Sequence, residues 1–281
     1  MKSNRLILFE GIPGSGKTTT AQILQQYMMS IGIEASVFIE GSEHPIDLPF
    51  HAYFHNNEFE DLLHNYPEQE EWLNRHSIIE EGYILIPYKT PEPEPFHAEL
   101  IDFLGAKEFC YSDKPVVSFT NFKTVFERRF KRYADIAMNN QEVIILESAL
   151  FQHQIHDINR LYPEIAASDI NEYITGLAEI LRPLNPVLFY LSQNSVSESL
   201  EHTAQIRSKP HWWTAETIKY YTNRKSLELD ILKDLPIKSI IIDNTKHDWD
   251  NVFNIISSSL NLNFQKTISL LPGYVSCSKK C

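Results

Sequence analysis

The chain predicts an α/β protein built on a parallel sheet, and three observations carry that reading. Short apolar runs at residues 6–9, 35–39, 143–146, 187–191 and 237–242 alternate over most of the length with segments of helical periodicity, a pattern that implies a parallel sheet covered on both faces. One of them, Val143 to Leu146, is apolar at every position and closes on Glu147, as expected of a strand buried on both sides. The third is the glycine-rich turn Gly11-Ile-Pro-Gly-Ser-Gly-Lys-Thr18, which separates the first strand from a helix opening at about Lys17.

That turn matches the phosphate-loop pattern at every fixed position, in the strand-then-helix context the pattern needs. Its glycines let successive N–H groups turn inward on a polyphosphate, and the helix N-terminus adds positive potential. Gly11, Pro13, Gly14, Ser15, Gly16, Lys17, Thr18 and Thr19 are therefore expected to hold a nucleotide. Lys17 neutralises the outer phosphates, and the Thr18 hydroxyl can ligate magnesium.

With 281 residues, 43% of them hydrophobic, the chain supports one large domain with insertions. The net charge of -12 and the lack of a long Lys/Arg run argue against a nucleic acid polymer as partner. The first apolar run stops at Glu10, so neither a signal peptide nor a membrane span is expected, and the location expected is cytoplasmic. Cys110, Cys277 and Cys281 lack zinc-type spacing and read as reduced thiols. A homodimer is among the assemblies such a composition allows.

After the loop, Ala21, Leu24 and Met28 recur at helical spacing until Gly32, and the second strand ends in the polar segment from Glu40 to Asp47. Ligands gather at that edge of open α/β sheets. Residues 50–120 form an irregular insertion on the substrate side, with helices at 58–65 and 96–103 and a hairpin over 77–89 turning at Glu81-Gly82. Pro91, Pro93 and Pro95 force an extended connection there. Tyr53, Phe54, Trp72, Tyr83 and Tyr88 in this insertion could stack on a base, although core packing is the commoner role.

Phe122, Phe126, Phe130, Tyr133 and Ala137 mark the buried face of a helix, whose cations include Arg128 and Arg132. Gln152, His153 and His156 fall on a helical segment after Glu147, and a further helix covers 169–181. Ser195 with Glu198 resembles a capping box opening a helix that runs into a lid at about 205–215. A long helix through Ile218, Tyr221 and Leu232 follows, then the last strand and a closing helix through Val252, Ile256 and Leu260. The fold is thus expected to occupy residues 1–264 as one domain, leaving 265–281 as a tail.

Three features suggest what is done with the nucleotide. Glu147 can hold magnesium or cap the next helix. Arg207, in the lid, can stabilise a transferring phosphoryl group or sit on the surface. Glu40, Glu43 and Asp47 lie where an acceptor hydroxyl needs a proton acceptor, Glu40 closest to the strand end, and His44 could orient the acceptor. Arg128, Arg132 and Gln152 are further candidates for acceptor contact.

Phe9-Glu10-Gly11 followed by the loop and Thr18-Thr19-Thr20 resembles the opening of thymidylate kinases and the related deoxynucleoside kinases. Leu146-Glu147-Ser148 is similar to the latter's Glu-Arg-Ser segment, and Ile240 to Thr245 with Trp249 to their last strand and closing helix. The resemblance implies a P-loop NMP-kinase-like three-layer fold with a five-stranded parallel sheet, a substrate-side insertion and a short lid. It also implies ATP, magnesium and transfer of the gamma-phosphate to a small-molecule acceptor, with Lys17, Arg207 and Glu40 in catalytic roles. The family arginine after the strand-end acid is replaced by Ser148, and Gly41 stands where the relatives carry proline, so the acceptor could be another metabolite. The competing reading is an NTPase or GTPase-like switch without an acceptor, for which Thr245-Lys-His-Asp248 and Asp102-Phe-Leu-Gly105 are weak matches.

Overall fold

The computed structural model describes residues 5–41, 44–89, 98–208 and 213–262. It divides into two compact units: Met1–Ile46 with Phe126–His156 and Ala166–Cys281, and Asp47–Val125 with Asp157–Ile165. The expectations for Glu43, the proline cluster, Lys209 and Pro210 of the lid, Cys277, Cys281 and the tail lie outside the described residues.

The first unit carries the parallel sheet. Its strands are β1 (Leu6–Glu10), β2 (Ala35–Phe38), β6 (Val143–Glu147), β7 (Val187–Ser192) and β8 (Lys238–Asp243), in the order β2-β6-β1-β7-β8. Every pairing is parallel. β1 is wholly buried because β6 and β7 flank it and helices cover both faces. Ile7 and Phe9 point to one face, joining Ala21, Leu24 and Met28 of α1 (Lys17–Ser30) and Val252, Phe253 and Ile256 of α10 (Trp249–Leu260). Each such side chain contributes about 1.5–3 kcal/mol of burial, which fixes the sheet against these helices.

Leu6, Leu8 and Glu10 alternate to the other face. There Tyr190, the register partner of Glu10, reaches Glu228 of α9 (Ala215–Asp234). α9 packs in turn on α7 (Ala167–Leu181). Arg5 fastens the C-terminal end of α5 (Phe119–Met138) by donating to the Ala137 and Met138 carbonyls.

The second unit has a three-stranded antiparallel sheet, β3 (His51–Phe54), β5 (Tyr83–Pro87) and β4 (Ile78–Glu80), in the order β3-β5-β4. α2 (Asn56–Asn65), α3 (Glu70–His76) and α4 (Ala98–Gly105) enclose its core. The expected hairpin is present, turning on Gly82 at φ 91, whereas β3 and α3 go beyond what the sequence pattern predicts. Tyr53, Phe54, Tyr83 and Tyr88 are buried in this unit, so they serve its core. Asp102 to Gly105, the switch-like fragment, is helical within α4.

Candidate functional site

The turn between β1 and α1 is shaped by left-handed glycines. Gly14 has φ 81, and a Cβ there would lie 2.0 Å from Thr203 Oγ1; Gly16 has φ 95, and a Cβ would lie 2.5 Å from the Trp249 ring. Only glycine satisfies both the backbone angle and the clearance. The neighbours that crowd the loop also hold it. Ser199 Oγ on α8 (Val196–Ile206) donates to Pro13 O at 3.0 Å, and Asn244 Nδ2 beyond β8 donates to Ser15 O at 2.8 Å. The N–H groups of Lys17, Thr18 and Thr19 open α1 and have no intrahelical acceptor, so they are available to an anion.

Lys17 is buried, and its Nζ donates to the Gly11 carbonyl at 3.0 Å and the Ile12 carbonyl at 3.3 Å. Burial lowers its pKa, opposed by the charges of Glu147 and Glu40. Thr18 Oγ1 donates to Glu147 Oε1 at 2.7 Å, and Glu147 Oε2 accepts from the Glu40 N–H at 3.3 Å. The structure therefore brings together Lys17, Thr18, Glu147 and Glu40 from two strand ends and one helix. No group of three or more His, Cys, Asp or Glu suited to a metal occurs among the described residues. A hydroxyl and one carboxylate nevertheless fit magnesium, which keeps several waters and takes its other ligands from phosphates.

Glu10 is not a ligand of that set. Its carboxylate accepts from the Leu150 N–H at 2.6 Å and the Gln152 N–H at 3.3 Å, so it joins β1 to the start of α6 (Gln152–Leu161). Burial raises its pKa to about 7 against the pull of the Leu150 N–H, and nearby Glu228 pushes the same way.

Glu40 is exposed as a residue, and its carboxyl lies in the field of the Lys17 charge. Desolvation is the largest influence and raises its pKa; Lys17, a hydrogen bond from Gln152, His153 and Arg207 outweigh it and hold the carboxyl below its usual value. Gln152 thus reaches Glu40, and Arg207 is exposed at the end of α8 with its charge felt at Glu40. His44 is buried beside His153, with ring centroids 5.8 Å apart. Burial, then His153 and Arg129, lower its pKa to about 3, so it is neutral at physiological pH. On α5, Arg128 is half-buried and Arg132 exposed, while Arg129, not singled out in the sequence, donates from Nε to the Ile46 carbonyl at 3.0 Å. Asp47 belongs to the second unit, where it accepts from Tyr111 OH at 3.1 Å.

Sequence reasoning missed one wall of the site. Along α9, Tyr220 OH bonds His156 Nδ1 at 2.7 Å, and the Glu40 charge is felt at Tyr221. Arg224 lies 5.3 Å over the Tyr221 ring and binds Glu228 from Nε at 2.6 Å, and Glu228 takes a 2.7 Å bond from Tyr190 OH. The trace of this in the sequence is an Arg-Glu pair at i, i+4, in phase with Leu232 on the buried face.

Several buried polar atoms around the loop have no hydrogen-bond partner: Ser15 Oγ, Ser148 Oγ, Gln152 Oε1, Arg224 Nη2 and Asn244 Oδ1. Such groups are rare in folded proteins, where each costs about 1–3 kcal/mol. Their concentration beside a glycine loop fits a polar ligand.

Strand order and loop define a P-loop α/β protein with a five-stranded parallel sheet. No protein-family model matches the chain, and no curated protein does. Among solved structures it is similar to a thymidylate kinase from Ehrlichia chaffeensis, at 13% identity over 91% of this chain and 100% of that one, with a TM-score of 0.38. It is also similar to the YorR protein of Bacillus subtilis in complex with phosphorylated GDP, at 9% identity over 91% and 95% of the two chains, with a TM-score of 0.46. Among the described residues no helix is long and apolar enough to cross a membrane.

Proposed function

We propose that the protein is an ATP-dependent phosphotransferase that moves the gamma-phosphate to a hydroxyl or phosphate of a small molecule. The observation that carries this reading is the convergence of Lys17, Thr18 and Glu147 on one glycine loop, with Glu40 beside them. In phosphoryl transfer, positioning and electrostatics supply most of the rate, and this set offers both. The loop and the opening N–H groups of α1 hold the polyphosphate, and Lys17 exchanges its two carbonyl partners for phosphate oxygens. Thr18 and Glu147 would hold magnesium, which when bound would neutralise phosphate charge.

Glu40 accepts the proton of the attacking hydroxyl. Its depressed pKa keeps it ionised at neutral pH, and Gln152 orients it. Glu10, although closer to neutrality, is occupied by two N–H groups and serves as a support. Arg207, at the C-terminal end of α8, meets the phosphoryl group when a ligand draws it in. The switch reading loses support, because Asp102 to Gly105 is helical and Thr245 is engaged with Asp243, its N–H donating to Asp243 Oδ1 at 2.9 Å.

The test is ADP release across a panel of nucleosides, nucleoside monophosphates and hydroxylated small molecules. One or more acceptors should stimulate ADP formation, and Lys17→Ala should abolish the stimulation. Acceptor-independent hydrolysis, or an unchanged rate in Lys17→Ala, would sink the reading.

A further inference from the structure

We propose that Arg224 is an anion-binding residue of the phosphate site, supplying from α9 a guanidinium contact to the bound polyphosphate; this rests on the nucleotide-binding part of the function proposed above. Arg224 is 2% exposed, and its Nη2 is buried with no hydrogen-bond partner. A guanidinium in a protein stays charged and presents its donors as a rigid fork. Leaving one arm of the fork unpaired inside a protein is unfavourable unless a ligand completes it.

The Nε edge of the guanidinium is held by a carboxylate. Nε donates to Glu228 Oε1 at 2.6 Å, with the two side chains 1% and 0% exposed, and the guanidinium lies over the Tyr221 ring. Glu228 is itself fixed by Tyr190 OH at 2.7 Å, and Tyr190 is the register partner of Glu10, the residue just before the loop. Arg224 is therefore tied through two hydrogen bonds to the strand beside the one that launches the phosphate loop. Its charge is felt at Lys17, which places the two cations in one field. Two neighbouring buried cations repel, and an anion between them relieves the repulsion.

A polyphosphate suits this arrangement, since a guanidinium can meet two phosphate oxygens at once. Ser148 follows the strand-end acid Glu147, so that strand end brings no cation of its own. Here the cation comes from α9, held ready by its own carboxylate.

The test uses the full chain and isothermal titration with ATP, AMP and pyrophosphate. Arg224→Lys keeps a cation and removes the fork, while the double variant Arg224→Met with Glu228→Met replaces the buried pair by apolar side chains of similar volume, a change that buried ion pairs often tolerate. In a folded variant, judged by circular dichroism and melting temperature, affinity for ATP and pyrophosphate should fall at least tenfold, and the ratio of ATP to AMP affinity should fall with it. An unchanged ratio, or equal weakening of ATP and AMP, would overturn the proposal. So would unfolding of both variants, which would give the pair a purely structural role. If the wild type binds neither ATP nor pyrophosphate, the nucleotide reading and this one fall together. If it binds both but phosphorylates nothing, the phosphotransferase reading fails alone, and Arg224 is judged on affinity.

Discussion

Thr18 Oγ1 and Glu147 Oε1 lie 2.7 Å apart, the first on the opening turn of α1 and the second at the end of β6. Under the function proposed, these are the two side chains that would hold magnesium. Thr18→Ala is expected to weaken magnesium-dependent ATP binding at least tenfold. Binding measured in excess chelator should change less than twofold. Comparable losses with and without metal would refute a metal-holding role.

Gly14 sits at φ 81 against Thr203. Gly14→Ala combines a left-handed alanine, which costs roughly 1–2 kcal/mol, with overpacking of about 1–3 kcal/mol. The melting temperature should fall accordingly. Adding Thr203→Ala should relieve the clash with Thr203 Oγ1 and leave the backbone part together with the approach to Ser199 O and Oγ, each 3.0 Å away, a partition readable by denaturant titration of the two variants.

Ser148 is another left-handed residue, at φ 66, with a buried Oγ that has no partner. Ser148→Gly removes both burdens and should raise stability by about 1 kcal/mol. If the hydroxyl serves the ligand, ATP affinity should drop in the same variant. Opposite signs for stability and affinity are the expected outcome, measured by urea titration and calorimetry.

Glu10 gives a pH dependence with a definite sign. Its pKa rises from 4.5 to about 7 on folding, so the folded state holds the proton more tightly. Its contribution is complete below about pH 4.5 and is lost as pH rises through about 7. His44, with a pKa lowered to about 3, acts in the opposite sense, losing its contribution as pH falls from 6.5 towards 3. Comparing wild type with Glu10→Gln isolates the first effect. Between pH 4.5 and 8 the wild type should lose on the order of 3 kcal/mol relative to the variant, because a pKa difference of one between folded and unfolded chain corresponds to about 1.36 kcal/mol. Parallel stability curves for the two proteins would contradict this.

The parallel sheet and its loop were legible in the sequence because they depend on local signals. β1 and β6 are unbroken apolar runs, and the loop needs particular residues at fixed spacing. Glu147 was found for the same reason, as an acid ending such a run. β3 was not, because His51–Phe54 is only four residues long and runs straight into α2 without an apolar alternation of its own. The α9 wall escaped for a different reason. Tyr220, Tyr221, Arg224 and Glu228 sit on a helix whose spacing alone reads as ordinary packing, and a buried arginine looks like a surface one until its partners are seen. Arg129 was hidden among the cations of α5, and its bond to the Ile46 carbonyl separates it from Arg128 and Arg132.

The Lys17 ammonium rests on the carbonyls of Gly11 and Ile12, so the loop without ligand carries an internal competitor for its own cation. An incoming anion must displace two intramolecular contacts. A single weak anion offers too little in exchange, whereas a chelating polyphosphate brings several oxygens at once. Under the function proposed, these two contacts would set a threshold that favours a ligand delivering several oxygens together.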